Sequence, residues 1–212
     1  MKTKAVFSIL IGAFFSLNAS ATVSPSSLVI KLYALWVSPN TDCSNPINLF
    51  DGGGAAMNFD MIKAPTLGGG NPADGTYPCL IMKMSSVITY SPASSEGSCS
   101  AGASYSASVC RADNGGTTTP FDGSSFNADT ACTGTAASNP PVDNTVFLYL
   151  STVSTGTNNA FNRPTVATKG INLGAPFVVS GSTAGTFVVN ANGKIDGSGA
   201  SCGMNPPVFS FH

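Results

Sequence analysis

The segment Asp74-Gly75-Thr76-Tyr77-Pro78-Cys79-Leu80-Ile81-Met82-Lys83-Met84-Ser85-Ser86-Val87-Ile88-Thr89-Tyr90 reads as an extended strand entered from a turn. Asp-Gly turns the chain, and Pro78 fits only near a strand's first residues. The apolar run that follows ends in a β-branched and aromatic tail bounded by Ser91-Pro92. Side chains alternate across a strand, so Leu80, Met82 and Met84 share one face while Cys79 and Ile81 share the other. Both sets are apolar, which calls for cover on both sides, as a core strand of a sandwich has. Lys83 breaks the pattern, and its ammonium must reach water or a carboxylate.

Other stretches give the same kind of signal. Leu28 to Val37 alternates and closes at Ser38-Pro39-Asn40; Ile47 to Asp51 stops at a run of glycines; Met57 to Ile62 is a further short apolar piece. Pro65 through Pro72 reads as a flexible connection. Asn144 to Val153 has an apolar centre on both faces, and Gly170 to Leu173 leads through Pro176 into Phe177-Val178-Val179. Thr186 to Asp196 reads as a hairpin, because Asn192-Gly193 is the pair that a type I′ turn favours. The last residues, from Cys202, read as a stapled turn and a short edge strand. No stretch carries a sustained helical period with caps, so the chain is expected to be all-β with at most a short helix.

Between Ser91 and Pro141 the pattern dissolves into Ser, Gly, Ala, Thr and Asn, which is too long for an ordinary loop. This predicts a lobe over residues 92–141, inserted in a single β-sandwich domain of residues 22–212. Ala103 to Val109 could pair locally within it. Disulfides through Cys99, Cys110 and Cys132 would supply the order that a thin core cannot.

Lys2 and Lys4 precede an apolar run from Ala5 to Leu17, and Ala19-Ser20-Ala21 offers a signal-peptidase site, so residues 1–21 read as a cleaved export signal. That run, about thirteen residues, is shorter than the roughly 20 a membrane span needs, and no span is expected after its removal. All six cysteines, Cys43, Cys79, Cys99, Cys110, Cys132 and Cys202, follow the signal; an even count in an exported chain predicts three disulfides, whose connectivity the sequence leaves open. Export places the protein in the periplasm, at the cell surface or outside the cell. Lys31, Lys63, Lys83, Arg111, Arg163, Lys169 and Lys194 then face ten acids, which leaves no basic patch for nucleic acid. Charged residues are only 9% of the chain, so little charge repulsion opposes self-association.

Leu28 to Val37, the short piece Asn58-Phe59-Asp60-Met61-Ile62, and Gly75-Thr76-Tyr77 feeding an aliphatic strand resemble the opening of secreted bacterial β-sandwich domains with a transthyretin-like (prealbumin-like) fold. The likeness spans roughly the first third of the mature chain. It implies an envelope location and supplies no catalytic residue, since such domains mostly lack an assigned activity.

Catalytic chemistry finds few residues to use. The sole histidine is His212, the last residue, which gives no internal imidazole for a Ser-His-Asp or Cys-His arrangement. No cysteine pair has zinc-ribbon spacing, no phosphate-binding glycine loop opens a helix, and no cofactor is expected. Asp60, Asp74, Asp113, Asp122, Asp129 and Asp196 are the carboxylates from which a hydrolase pair could be drawn, but most sit beside Gly, Asn or Ser, where aspartate makes turns. Asn190, Asn192 and Asp196 set oxygens around a turn as weak calcium ligands, without the acid-rich spacing of a calcium loop.

Two readings of function follow. The first is a non-enzymatic structural or adhesive protein of the bacterial surface, self-associating into a fibre. Gly199 and the penultimate Phe211 resemble the end of chaperone-assembled pilins, whereas Pro206-Pro207 removes backbone donors that a donated strand needs. The second is a secreted carbohydrate-binding module in which Tyr33, Trp36 or Tyr105 stacks on a surface glycan. A hydrolase using paired carboxylates is a distant third.

Overall fold

The computed structural model describes residues 22–63, 72–108, 145–155, 160–181, 183–184 and 186–211. The export signal, Cys110, Cys132, Asp113, Asp122, Asp129, His212 and most of the predicted lobe lie outside the described residues.

The strands are β1 (Thr22–Val23), β2 (Pro25–Ser38), β3 (Ile47–Asp51), β4 (Met57–Asp60), β5 (Gly75–Tyr77), β6 (Cys79–Pro92), β7 (Tyr105–Ser108) and β8 (Thr145–Ser151). They continue with β9 (Ile171–Asn172), β10 (Phe177–Ser180), β11 (Thr183–Ala184), β12 (Phe187–Asn190), β13 (Ile195–Asp196), β14 (Gly203–Met204) and β15 (Val208–Phe211). One 3-10 turn, Met61–Lys63, follows β4. The fold is all-β, as the alternation predicts. Its strands form a seven-stranded sheet ordered β3-β2-β6-β8-β9, with β4 also on β2 and β7 also on β6, together with three smaller sheets, β1-β13-β14, β11-β10-β5 and β12-β15.

β6 organises the large sheet. In register across β2, β6 and β8 lie Leu35, Met82 and Leu148, then Trp36, Ile81 and Tyr149, then Val37, Leu80 and Leu150. The rows alternate between faces. Leu80, Met82 and Met84 join the main core with Leu28, Ile30, Leu32, Leu35 and Val37 of β2. That cluster is continuous with Phe177 and Val179 of β10, Phe187 and Val189 of β12, Ile195 of β13, and Phe209 and Phe211 of β15, so one core joins the sheets. Phe177 lies 4.9 Å and Phe187 5.1 Å from Phe211, ring centre to ring centre, which closes the far side of the core with aromatic contacts. Cys79 and Ile81 point the other way, into a second cluster with Cys43, Phe147 and Tyr149.

A line of irregularity crosses this sheet. β2 shifts register against β6 between Ile30 and Leu32 and again between Leu32 and Ala34. On β6 the Ser85 hydroxyl accepts the Val87 N–H at 3.0 Å, capping the local distortion. Along the outer side of β2, β3 ends opposite Ala34 and β4 starts opposite Leu32, with residues 52–56 looping out between them. Gly52 N–H still reaches Tyr33 O, 2.8 Å away. Along the other side of β6, Ser108 of β7 pairs with Val87 and Thr145 of β8 pairs with Ser85. Only the position opposite Ser86 separates those two ends. β7 and β8 are therefore two parts of a single strand line along β6.

The predicted hairpin is corrected. Asn192-Gly193 does form a turn, with Lys194 N–H donating to Ala191 O at 3.1 Å, but Gly193 takes a positive φ, 62°, and Asn192 does not. A type I′ turn needs both. The flanking strands separate instead: β12 pairs with β15, and β13 inserts between β1 and β14. Burial of Phe187 and Val189 against Phe211 and Phe209 outweighs the local pairing that the turn alone would favour.

Because β7 and β8 continue one strand line in step along β6, the sheet should stand without the residues between them. Replacing residues 109–144 by one glycine is expected to leave cooperative thermal unfolding and both disulfides described below. Loss of the unfolding transition would show that the segment is part of the core.

Candidate functional site

Cys43–Cys79 and Cys99–Cys202 are disulfide-bonded. Each fastens a loop to the sheet system, and each marks a region built from unusual local chemistry.

The first region is the loop from Ser38 to Ile47, which folds over the second face of the large sheet. The Asp42, Ser44 and Asn40 side chains make it self-supporting. Ser44 N–H and hydroxyl both donate to Asp42 Oδ1, at 3.0 and 2.5 Å, and Asn40 Nδ2 donates to Ser44 Oγ at 2.9 Å. Ser38 Oγ donates to Ser44 O, and Ser151 Oγ of β8 donates to Thr41 O at 2.6 Å. From far along the chain, Arg163 clamps the loop through Nε to Asp42 O at 2.8 Å and Nη2 to Asp42 Oδ2 at 2.9 Å. Cys43 and Asn45 have φ of 61° and 52°, the positive-φ non-glycine residues among those described. Such backbone persists where surrounding bonds over-determine it, and here the disulfide and the clamp do so. The Ser44 hydroxyl and then its N–H lower the Asp42 pKa, with Arg163 adding to them against a smaller opposing effect of burial.

Beside this loop, Trp36 is half-buried and stacks on Phe147 with ring centres 5.8 Å apart. Lys83, read as needing water or a carboxylate, places its ammonium over the same Phe147 ring, 5.8 Å from its centre. A cation at that distance is attracted by the negative face of the ring.

The second region joins the turn at residues 96–99 to the sheet of β13 and β14. Ser98 N–H donates to Gly197 O at 2.9 Å, and Tyr90 OH donates to Cys202 O at 2.9 Å. Gly97 and Gly197 lie back to back: a Cβ on Gly97 would run into Gly197 O, and one on Gly197 into Glu96 O. Only glycine permits the approach that Cys99–Cys202 then locks.

Of the three aromatics proposed as a glycan platform, Trp36 and Tyr105 do not share a surface. Trp36 pairs with Ile81 and Tyr105 with Tyr90, about 30 Å apart along β6 at ~3.3 Å per residue. Tyr105 stacks on Tyr90, and its hydroxyl accepts the Ser100 N–H at 2.8 Å. Tyr33, half-buried, sits at the register shift of β2.

The described aspartates are engaged with backbone. Asp51 accepts from Gly53 N–H, Asp74 from Gly181 N–H across to β10, and Asp196 from Ser198 N–H. Asp60 Oδ1 accepts from both Leu28 N–H at 3.1 Å and Ile62 N–H at 3.3 Å, while Oδ2 faces Lys63 Nζ at 3.4 Å. Of the calcium candidates, Asn190 Oδ1 accepts the Asn192 N–H at 3.1 Å, and Asp196 serves its own turn. Among the described residues no three His, Cys, Asp or Glu side chains gather as a metal site would, and no helix is long and apolar enough to cross a membrane. The Arg163–Asp42 clamp went unseen in the sequence, because nothing local links residues 121 apart.

No family model, curated protein or solved structure matches this chain.

Burial works to raise the Asp60 pKa, but the Leu28 and Ile62 N–H groups, Ser27 and Lys63 outweigh it and hold it below the ordinary value. A carboxyl with a lowered folded pKa adds stability above its unfolded value of about 4, and that stability is lost as pH falls through the lower folded value. Asp60→Asn is expected to cost about 1–2 kcal/mol at neutral pH and to flatten the loss of stability below about pH 4. Denaturant titrations across that range check it; an unchanged acid slope would contradict it.

Proposed function

We propose that this is an exported, non-enzymatic structural or adhesive protein of the bacterial cell surface or extracellular space, a β-sandwich that associates with copies of itself. The observation that carries the reading is the outer edge of the large sheet. β3 ends the strand order, and among the described residues its partner is β2 alone. Soluble proteins blunt such edges with lysine, proline or inward charge, because unpaired N–H and C=O groups invite another strand. Neither β3 nor β4 contains a lysine, arginine or proline, and both present apolar side chains to solvent, with Ile47 37% and Met57 49% exposed. Residues 52–56, which loop out between the two strands, divide this edge into short docking segments.

Other features agree with a passive role in a harsh compartment. Disulfides hold loops onto the sheets, with Cys43, Cys79 and Cys99 buried, and such bonds persist in an oxidising environment. The engaged aspartates act as turn and edge fasteners, which is a structural use of the carboxylates that a hydrolase would need.

The mature protein, taken unheated from its native envelope or medium, is expected to run as oligomers or filaments by size analysis and electron microscopy. Ile47→Lys should shift it toward monomer while leaving its melting temperature within a few degrees. A parent protein that stays monomeric at every concentration would overturn the proposal.

A further inference from the structure

The turn that joins β12 to β13 brings together the residues of a chemical modification. Asn192 is exposed at its tip, and Gly193 follows with φ 62°. In an Asn-Gly pair no Cβ shields the glycine nitrogen, so that nitrogen can attack the asparagine side-chain carbonyl. Here the nitrogen is engaged: Gly193 N–H donates to Ser24 Oγ at 3.1 Å. Ser24 is itself fixed, because its carbonyl accepts the Ala93 N–H at 2.9 Å and the preceding β1 pairs Thr22 with Asp196 and Val23 with Ile195.

We propose that Asn192 is a latent spontaneous deamidation site and that β1, through Ser24, is the lock on it. In the reaction, Gly193 N forms a bond to Asn192 Cγ and gives up its proton. The Cγ–Nδ2 bond breaks, and ammonia leaves. Water then opens the resulting succinimide at either carbonyl, producing an aspartyl or an isoaspartyl residue. Attack requires the Gly193 peptide plane to turn toward Asn192 Cγ, and the bond to Ser24 opposes that rotation. When β1 separates from β13, the lock is lost. Either product adds a negative charge to the turn, and the isoaspartyl form also lengthens its backbone by one carbon. Thr22 Oγ1 lies 3.1 Å from where a Gly193 Cβ would sit, so β1 packs closely over this turn.

The test is peptide mapping of the intact mature chain during incubation in mildly alkaline buffer, scoring aspartyl and isoaspartyl product at position 192. Ser24→Ala is expected to react roughly tenfold faster than the parent, and Ser24→Thr, which keeps the hydroxyl, at close to the parent rate. The parent unfolded in urea should also exceed the folded parent by at least about tenfold. A Ser24→Ala chain as slow as the parent, or a folded parent as fast as the unfolded one, would overturn the proposal. Should Ser24→Ala not fold, hydrogen exchange at the Gly193 amide of the parent decides: protection is expected, and exchange at an unfolded-chain rate overturns it.

Discussion

A strand that is apolar on both faces cannot be left with either face in water, and in this chain β6 imposes that condition on everything near it. Leu80, Met82 and Met84 recruit the main core, and Cys79 and Ile81 recruit a second layer. Full burial of each such side chain contributes about 1.5–3 kcal/mol, against strand ordering that costs about 1–2 kcal/mol per residue. Neither face alone would leave much surplus. The aligned rows across β2, β6 and β8 let both faces act on the same backbone, which explains why the long pairings converge there.

The two disulfides extend this arrangement in different directions. Cys79 is a β6 residue, so its bond to Cys43 draws a loop with positive-φ residues down onto the second face, where Ser151 and Arg163 complete its fastening. Cys99–Cys202 instead ties the turn after β6 to the sheet of β13 and β14, at a contact that Gly97 and Gly197 make close enough. Polar groups in both regions are matched within hydrogen-bond distance. That fits a protein whose order depends on fasteners as much as on the size of its core.

Much of the fold was legible because it follows from alternation. The faces of β6, the strand Thr145–Ser151 and the break between β3 and β4 can be read from side-chain period and glycine placement, whereas β2 begins at Pro25, ahead of the alternation from Leu28, and Gly75–Tyr77 pairs with β10 as a strand of its own. Pairing was less legible where it depends on distant burial. Asn192-Gly193 specifies a turn, but the partners of β12 and β13 come from Phe209, Phe211, Thr22 and Met204. Lys83 was recognised as an exception in an apolar run, whereas the ring of Phe147 as its neighbour needed the register of β8. The disulfide partners, the Arg163 clamp and the separation of Trp36 from Tyr105 likewise belong to topology. The edge at β3 lies between these cases: its lack of lysine, arginine and proline is plain in the sequence, but that it is an edge is not.

Native-state hydrogen exchange along β6 tests most directly whether this strand governs the fold. The amides of residues 80–84 lie between β2 and β8 and should exchange only through global unfolding, more slowly than those of β3, β10 or β12. Exchange at residues 80–84 as fast as in Ile47–Asp51 would contradict the account and place the stable centre of the molecule elsewhere.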